Sequence, residues 1–136
     1  MTLNSRFSMA VHIMTALAFM GEKMTSEVLS NTVNTNPVVI RRLLGQLARA
    51  GLVRAERGKS GGFSLARSAK SISLLDIYRA VMVDTELMPL HENPENLKCA
   101  VSCKVRGALC VHLNRAQGVY ERELQKVMLA DIEKTM

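Results

Sequence analysis

The segment from residue 31 to residue 66 constrains the fold more than any other part of the chain. The run Asn-Thr-Val-Asn-Thr-Asn at 31–36 has the composition of a turn, and Asn36-Pro37 then pairs a favoured helix N-cap with a favoured first helical residue. Gly51 supplies the left-handed residue typical of a helix C-terminus. The pattern therefore predicts a helix from Pro37 to Ala50.

A shorter helix is predicted before this turn. Thr25 or Ser26 is a suitable N-cap, the helix continues to about Val33, and Glu27 in its first turn suits the helix dipole. Its apolar pair, Val28-Leu29, is expected to face a core. Two helices joined by a tight polar turn predict a helix-turn-helix, whose second helix enters the major groove of DNA. The expected buried stripe of that second helix contains Ile40, Leu43, Leu44 and Leu47.

A pattern typical of a β-hairpin follows this second helix directly. Residues 52–56 and 63–66 alternate apolar and polar side chains, and the segment between them is basic and glycine-rich. The glycines precede a strand and no helix follows them, so the pattern does not predict a nucleotide-binding loop. A hairpin after a helix-turn-helix predicts a winged helix, with Arg57 and Lys59 in the wing, where they suit the DNA backbone and the minor groove.

Basic residues are concentrated on these elements. Between residues 41 and 70 there are eight lysines and arginines against one acidic residue, whereas the whole chain has a net charge of +6. This distribution favours a polyanion as partner, and Arg41 and Arg42 suit the edges of guanine in the major groove. Charge alone would also fit a non-specific binder of nucleic acids or anionic membranes.

The flanking segments complete one DNA-binding domain and add a dimerisation helix. An amphipathic helix from Arg6 to Met20 and a capped helix from Ser73 to about Val83 are expected to close the core of residues 1–83. Residues 84–94 form a linker, and residues 95–136 form a long helix, to about Met128, and a tail. Apolar side chains recur on this helix at steps of three and four residues, as expected for a helix that packs against a second copy. This seam contains Val101, Val105, Leu109, His112, Ala116 and Val119.

Two features of the sequence bear on location. No apolar run approaches the roughly 20 residues that a membrane-spanning helix needs. The N-terminus lacks the basic start and apolar stretch of a signal peptide, so we expect a cytoplasmic protein without a membrane partner.

Taken together, these segments resemble the Rrf-type (Rrf-two) family of bacterial winged-helix transcriptional regulators. The resemblance covers nearly the whole chain and rests on these stretches: Ser5–Phe7 with Ala10–Ile13, Thr35–Arg42, Leu43–Arg54, Gly61–Arg67 and Ile72–Tyr78. It implies a mainly α fold with a small β-hairpin wing, a homodimer formed by the long C-terminal helix, and a palindromic operator in double-stranded DNA. By position, it implies that Val38, Arg41 and Arg42 meet bases and that Arg57 enters the minor groove. A repressor, and not an enzyme, is the expected function.

Three cysteines, Cys99, Cys103 and Cys110, lie at the start of the long helix, where several members of this family hold an iron–sulfur cluster. Here their spacing departs from that of the cluster-binding members, and the glycine-rich loop is missing. Three interpretations stay open. The thiols are small buried side chains, or they respond to oxidation beside basic neighbours, or they bind a metal or cluster with a fourth ligand such as His91 or His112.

We therefore expect no cofactor, with an iron–sulfur cluster as the alternative within the same fold. A thiol oxidoreductase is the alternative from a different class. The chain has no Cys-x-x-Cys motif, no predicted βαβ unit and no convergent set of acid, base and nucleophile to favour that enzyme. His12 and His112, each on an apolar helical face, are expected in the interior or at an interface.

Overall fold

The computed structural model describes residues 3–136, and side chains from residue 5 onward. Met1 and Thr2, which open the segment considered above for a signal peptide, lie outside the described residues. The elements are α1 (Leu3–Met20), α2 (Ser26–Val33), α3 (Pro37–Arg49), β1 (Val53–Glu56), β2 (Gly62–Leu65), a 3₁₀ turn (Ala69–Ser71), α4 (Leu74–Val81), α5 (Ala100–Lys126) and α6 (Leu129–Lys134). No helix in this described range is long and apolar enough to cross a membrane.

Helix α3 has the boundaries and the buried face that its sequence predicts. The side chain of Asn36 accepts a hydrogen bond from the backbone N–H of Val38 at 2.8 Å, and Pro37 is the first helical residue. Gly51, at φ +75°, ends the helix in the left-handed region. The four residues of the predicted stripe are all buried against α1, α2 and α4: Ile40, Leu43, Leu44 and Leu47.

Helix α2 confirms its predicted cap but not its predicted core face. The hydroxyl of Thr25 accepts a hydrogen bond from the backbone N–H of Val28, and Asn34 ends the helix at φ +59°. Leu29 is fully buried, whereas Val28 is 47% exposed, so the expectation that both face the core was wrong for Val28. The buried face of α2 consists of Ser26, Leu29 and Ser30, and Val28 points about 100° away from Leu29 on the side opposite to Ser30.

The two strands form the antiparallel hairpin expected of a wing. Val53 pairs with Leu65 and Glu56 with Gly62, and Phe63 also exchanges two backbone hydrogen bonds with Met24, at 2.8 and 3.0 Å. This bridge fixes the hairpin to the segment that precedes α2. A Cβ atom at Gly62, whose φ is +153°, would lie 3.0 Å from the carbonyl oxygen of Met24, so the close approach of the two chains requires glycine.

Helix α5 begins later than the sequence predicts. Asn96 forms a local turn instead of a first helical turn: its side chain accepts a hydrogen bond from Lys98 N–H, and its carbonyl accepts one from Cys99 N–H. Asparagine favours such turns because its side chain competes for the backbone groups that a helix would use. The whole segment of residues 82–99 contains neither helix nor strand, and α5 starts at Ala100.

The C-terminal segment forms a sixth helix, α6, that returns to the core of the winged helix. Leu129 is fully buried, its N–H donates to the carbonyl of Ile72 at 2.8 Å, and Val127 accepts a hydrogen bond from Leu74 N–H at 2.9 Å. Helix α6 packs mainly against α1. The sequence pattern predicted only a tail here, because a helix of six residues is too short to show a clear period.

We expect Leu129→Ala to lower the free energy of unfolding by roughly 2–5 kcal/mol, because it opens a cavity in the core that α6 helps to close. Urea denaturation followed by circular dichroism measures this change. Leu97→Ala, at a residue that is 84% exposed, is the matched control and should stay within about 0.5 kcal/mol of the wild type. Equal effects of the two substitutions would contradict the docking of α6.

Candidate nucleic-acid interface

The N-terminal half of α3 presents three side chains to solvent. Val38 is 55% exposed, the side chain of Arg41 is also 55% exposed, and Arg42 is exposed. The opposite side of the same helix is buried, so the packing of α3 decides that these side chains face outward. They are the residues for which the sequence predicted contacts with bases.

Arg41 has an acidic partner that the sequence did not reveal. Its guanidinium Nη2 lies 3.6 Å from Oε1 of Glu27, in the first turn of α2. The pKa of Glu27 is held below its ordinary value, first by a hydrogen bond from its own backbone N–H and further by the charge of Arg41. From the sequence, Glu27 carried only the signal of an acidic residue at a helix N-terminus, and the distance of 14 positions gave no reason to pair the two.

The wing presents Arg57 and Lys59 as exposed side chains beyond the ends of the two strands. The neighbouring acid, Glu56, forms an ion pair with Lys23 at 2.8 Å, and a hydrogen bond from that ammonium lowers the pKa of the carboxyl group. A Cβ atom at Gly61 would collide with the carbonyl oxygen of Glu56, so the chain can turn this tightly only with glycine there. Glu56, the one acidic residue between positions 41 and 70, is therefore paired with a lysine that lies outside the wing.

Most of the basic residues between positions 41 and 70 have no acidic partner. Arg41 pairs with Glu27, and Arg67 pairs with Asp76 at 3.2 Å. Within the described part of the chain, the other six have no carboxylate oxygen within 4 Å: Arg42, Arg49, Arg54, Arg57, Lys59 and Lys70. Unpaired cations on α3, the wing and the turn after it form a surface suited to a polyanion such as a DNA backbone.

Helix α5 leaves its predicted seam uncovered. None of its 27 residues is buried in the chain as described, and all six seam positions are exposed. Other positions on the helix contact α4. The ring of Tyr120 packs edge-on against that of Tyr78, with 5.9 Å between the ring centroids, and Oε2 of Glu121 lies 3.9 Å from Nη2 of Arg79. His12 and His112 are both exposed in this chain, so the expectation of interior positions was wrong, and the interface alternative stays a prediction.

The linker is held against α5 at two places. Near the middle of the helix, the side-chain amide of Gln117 accepts a hydrogen bond from Leu87 N–H and donates one to the carbonyl of Thr85. Near its start, Arg106 donates to the carbonyl of Asn93 at 2.7 Å. A cleft of about 380 Å³ lies between the linker and α5, and Cys110 is among the residues that line it.

The three cysteines do not come together. Cys99 precedes the first residue of α5, Cys103 lies one turn later, and Cys110 lies two further turns along, about 10 Å farther on the helix axis. Cys103 is exposed, whereas Cys99 and Cys110 are half-buried, so none of them is a fully buried core residue in this chain. Asn114 donates to the sulfur of Cys110 at 3.5 Å.

This arrangement does not fit a metal site within one chain. Among the described residues, no three histidine, cysteine, aspartate or glutamate side chains are grouped closely enough to hold an ion. An iron–sulfur cluster needs several thiolates around one compact centre, and α5 holds Cys103 and Cys110 too far apart along its axis.

Comparison with known proteins gives matches over nearly the full length of the chain. The family model Rrf2, described as "Iron-dependent Transcriptional regulator", matches residues 3–135. YwnA of Bacillus subtilis (strain 168), which is named as an HTH-type transcriptional regulator, is 41% identical over 130 residues, which cover 96% of each chain.

Two solved structures extend this similarity to the fold. A protein described as DNA-binding has 35% sequence identity and a TM-score of 0.75, and the match covers 93% of this chain and 97% of that one. CymR (YrzC), the global cysteine regulator of B. subtilis, has 20% identity and a TM-score of 0.73, with 100% and 98% of the two chains covered. At that identity the second likeness concerns the fold alone.

Proposed function

The chain belongs to the Rrf2 family of transcriptional regulators, which are not enzymes, and we propose that it acts as a homodimeric, sequence-specific DNA-binding repressor. The observation that carries this proposal is the exposed basic surface formed by α3 and the wing. Six cations between residues 41 and 70 have no carboxylate partner in the described chain, and the α3 stripe beneath them is buried. A repressor of this kind acts by occupying its operator.

In this proposal α3 enters the major groove and the wing contacts the adjacent minor groove. Arg41 and Arg42 carry the fork of N–H donors that matches the O6 and N7 acceptors of guanine, and Val38 offers an apolar contact for a thymine methyl group. Arg57 and Lys59 contact the minor groove and the phosphates. Phosphate contacts position the protein, and contacts with base edges determine its sequence preference.

The exposed seam of α5 supports a homodimer as the active species. Apolar side chains such as Val105 and Leu109 remain 44% exposed in one chain, although they recur at the spacing of a helix–helix contact. A two-fold pair of such helices would bury the seam and place two winged helices on the two halves of a palindromic operator.

We further propose that the repressor responds to oxidation through Cys99, Cys103 and Cys110. A peroxide is the chemical class of oxidant: the thiolate sulfur attacks one peroxide oxygen, the O–O bond breaks, and the products are a sulfenic acid and hydroxide. The half-buried or exposed state of all three thiols supports access by a small oxidant. Helix α5 is joined to the winged helix by the linker at one end and by α6 at the other. A change at its start would therefore shift the distance between the two α3 helices of the dimer, which are its recognition helices.

Replacing Leu109 with glutamate should convert the dimer to monomer, because the new carboxylate would be buried without a partner at the interface. Sedimentation velocity measures the change. Val111→Glu is the matched control, since Val111 is also exposed and lies about 200° around α5 from Leu109, away from the seam. A dimer that survives Leu109→Glu would contradict this interface.

Arg41→Gln and Lys59→Gln should have different effects on DNA binding. Loss of a base-reading arginine should cost about 1–3 kcal/mol at one base pair and relax the preference there. Loss of Lys59 should weaken binding to all sequences and lower the slope of log affinity against log salt by about one unit. Binding assays on operator and random duplexes at several salt concentrations separate the two. Equal losses on both duplexes with Arg41→Gln would contradict a base-reading role.

Mild peroxide should lower the affinity of the wild type for its operator, and the triple Cys→Ser variant should keep its affinity under the same treatment. Fluorescence anisotropy with labelled operator measures both. The variant without peroxide is the control for structural damage and should bind like the reduced wild type. An effect of peroxide that persists in the variant would exclude these cysteines as the sensor.

A further inference from the structure

We infer that Glu27 is a positioning residue for Arg41 and that this pair, which joins α2 to α3, determines the base preference at the start of the recognition helix. The inference rests on the proposed function, because it assumes that α3 reads base edges. It adds a residue outside the recognition helix to the set that decides which sequence is bound.

Two local features hold the carboxylate of Glu27 in place. Thr25 caps α2 and so fixes the first turn, where Glu27 lies. Glu27 also lies where the N-terminal end of a helix favours negative charge. Although the side chain is 68% exposed, the helix start therefore favours its charged form beside Arg41.

The relation between α2 and α3 is also fixed. Leu29 of α2 and Ile40 of α3 are fully buried in the same core, and a left-handed Asn34 and the cap at Asn36 close the turn between them. The carboxylate of Glu27 thus occupies a defined place relative to α3. Arg41, on the exposed side of α3, reaches it with Nη2 at 3.6 Å.

This contact restricts a side chain that would otherwise be free. An unpaired arginine samples many rotamers and binds any phosphate oxygen within reach. When one part of the guanidinium faces a fixed carboxylate, the remaining N–H donors point in a limited set of directions, as a bidentate contact with guanine requires. The carboxylate also repels phosphates, so it disfavours binding of Arg41 to the backbone of arbitrary DNA.

The chain contains a matched pair for comparison. Lys23 and Glu56 form an ion pair at 2.8 Å that joins the segment before α2 to the wing. Both acids lie in the DNA-binding domain, both are exposed and both pair with a cation. Neutralising either one removes a single negative charge near the DNA, but only Glu27 contacts a residue that we assign to base reading.

The test selects bound sequences from a randomised DNA duplex pool, using the full-length wild type and the variants Glu27→Gln and Glu56→Gln. Each variant should bind random DNA more tightly than the wild type, because each loses one negative charge. Glu27→Gln alone should weaken the preference at one base pair of each half-site, on the order of tenfold. Glu56→Gln should leave the selected sequence unchanged.

A second comparison shows whether Glu27 acts through Arg41. In the Arg41→Gln background, adding Glu27→Gln should change the base preference no further, since the residue that it positions is already absent. Thermal melting by circular dichroism confirms that each variant is folded. If Glu27→Gln is not folded, Glu27→Asp replaces it; the shorter side chain withdraws the carboxylate from Arg41 but keeps the charge, so it should weaken the base preference without tightening binding to random DNA.

The possible outcomes separate this inference from the proposed function. If the wild type selects one sequence and Glu27→Gln selects it with the same preference at every position, the positioning role is wrong and the proposed function stands. If Glu27→Gln weakens the base preference by the same factor in the wild-type and in the Arg41→Gln background, Glu27 does not act through Arg41. If the wild type selects no sequence, both the proposed function and this inference are wrong.

Discussion

Burial of the apolar stripe of α3 is the interaction on which the rest of the structure depends. Ile40, Leu43, Leu44 and Leu47 are each 1% exposed or less, and they contact a core to which α1, α4 and α6 also contribute. Because a helix has one rotational position that buries such a stripe, the same packing turns Val38, Arg41 and Arg42 to solvent. The basic surface proposed to bind DNA is therefore a consequence of the core.

Helix α5, in contrast to α3, has no buried face in the described chain. It is the longest helix of the chain, yet none of its residues is buried in the chain as described. Its position is set by contacts near its start and middle and by α6 after its end, which returns to the core through Leu129. The linker contacts and α6 both join α5 to the winged helix of the same chain. The three thiols lie at the N-cap and in the first half of α5, and the helix keeps them too far apart for one metal centre.

The sequence predicted the winged helix because its local signals agree with its global pattern. The Asn36-Pro37 cap, the left-handed Gly51 and the alternation on either side of the glycine-rich turn each specify structure within a few residues. The sequence placed the basic residues of the candidate site on α3 and the wing, but it did not show which of them have acidic partners. Which of those cations are free and which are paired depends on distant residues: Glu27 for Arg41, and Lys23 for the acid of the wing.

By itself, the sequence determined the order of the helices and strands as far as α5, the outward face of α3, the wing and the apolar seam of α5, because caps, turns and hydrophobic period act over short distances along the chain. Only the tertiary structure decided that Val28 faces solvent, that the C-terminal segment packs into the core as α6, and that Glu27 meets Arg41. The last two of these features join separate elements, and the first depends on which face of α2 meets the core. They arise from the way whole helices pack, and no local pattern records that packing.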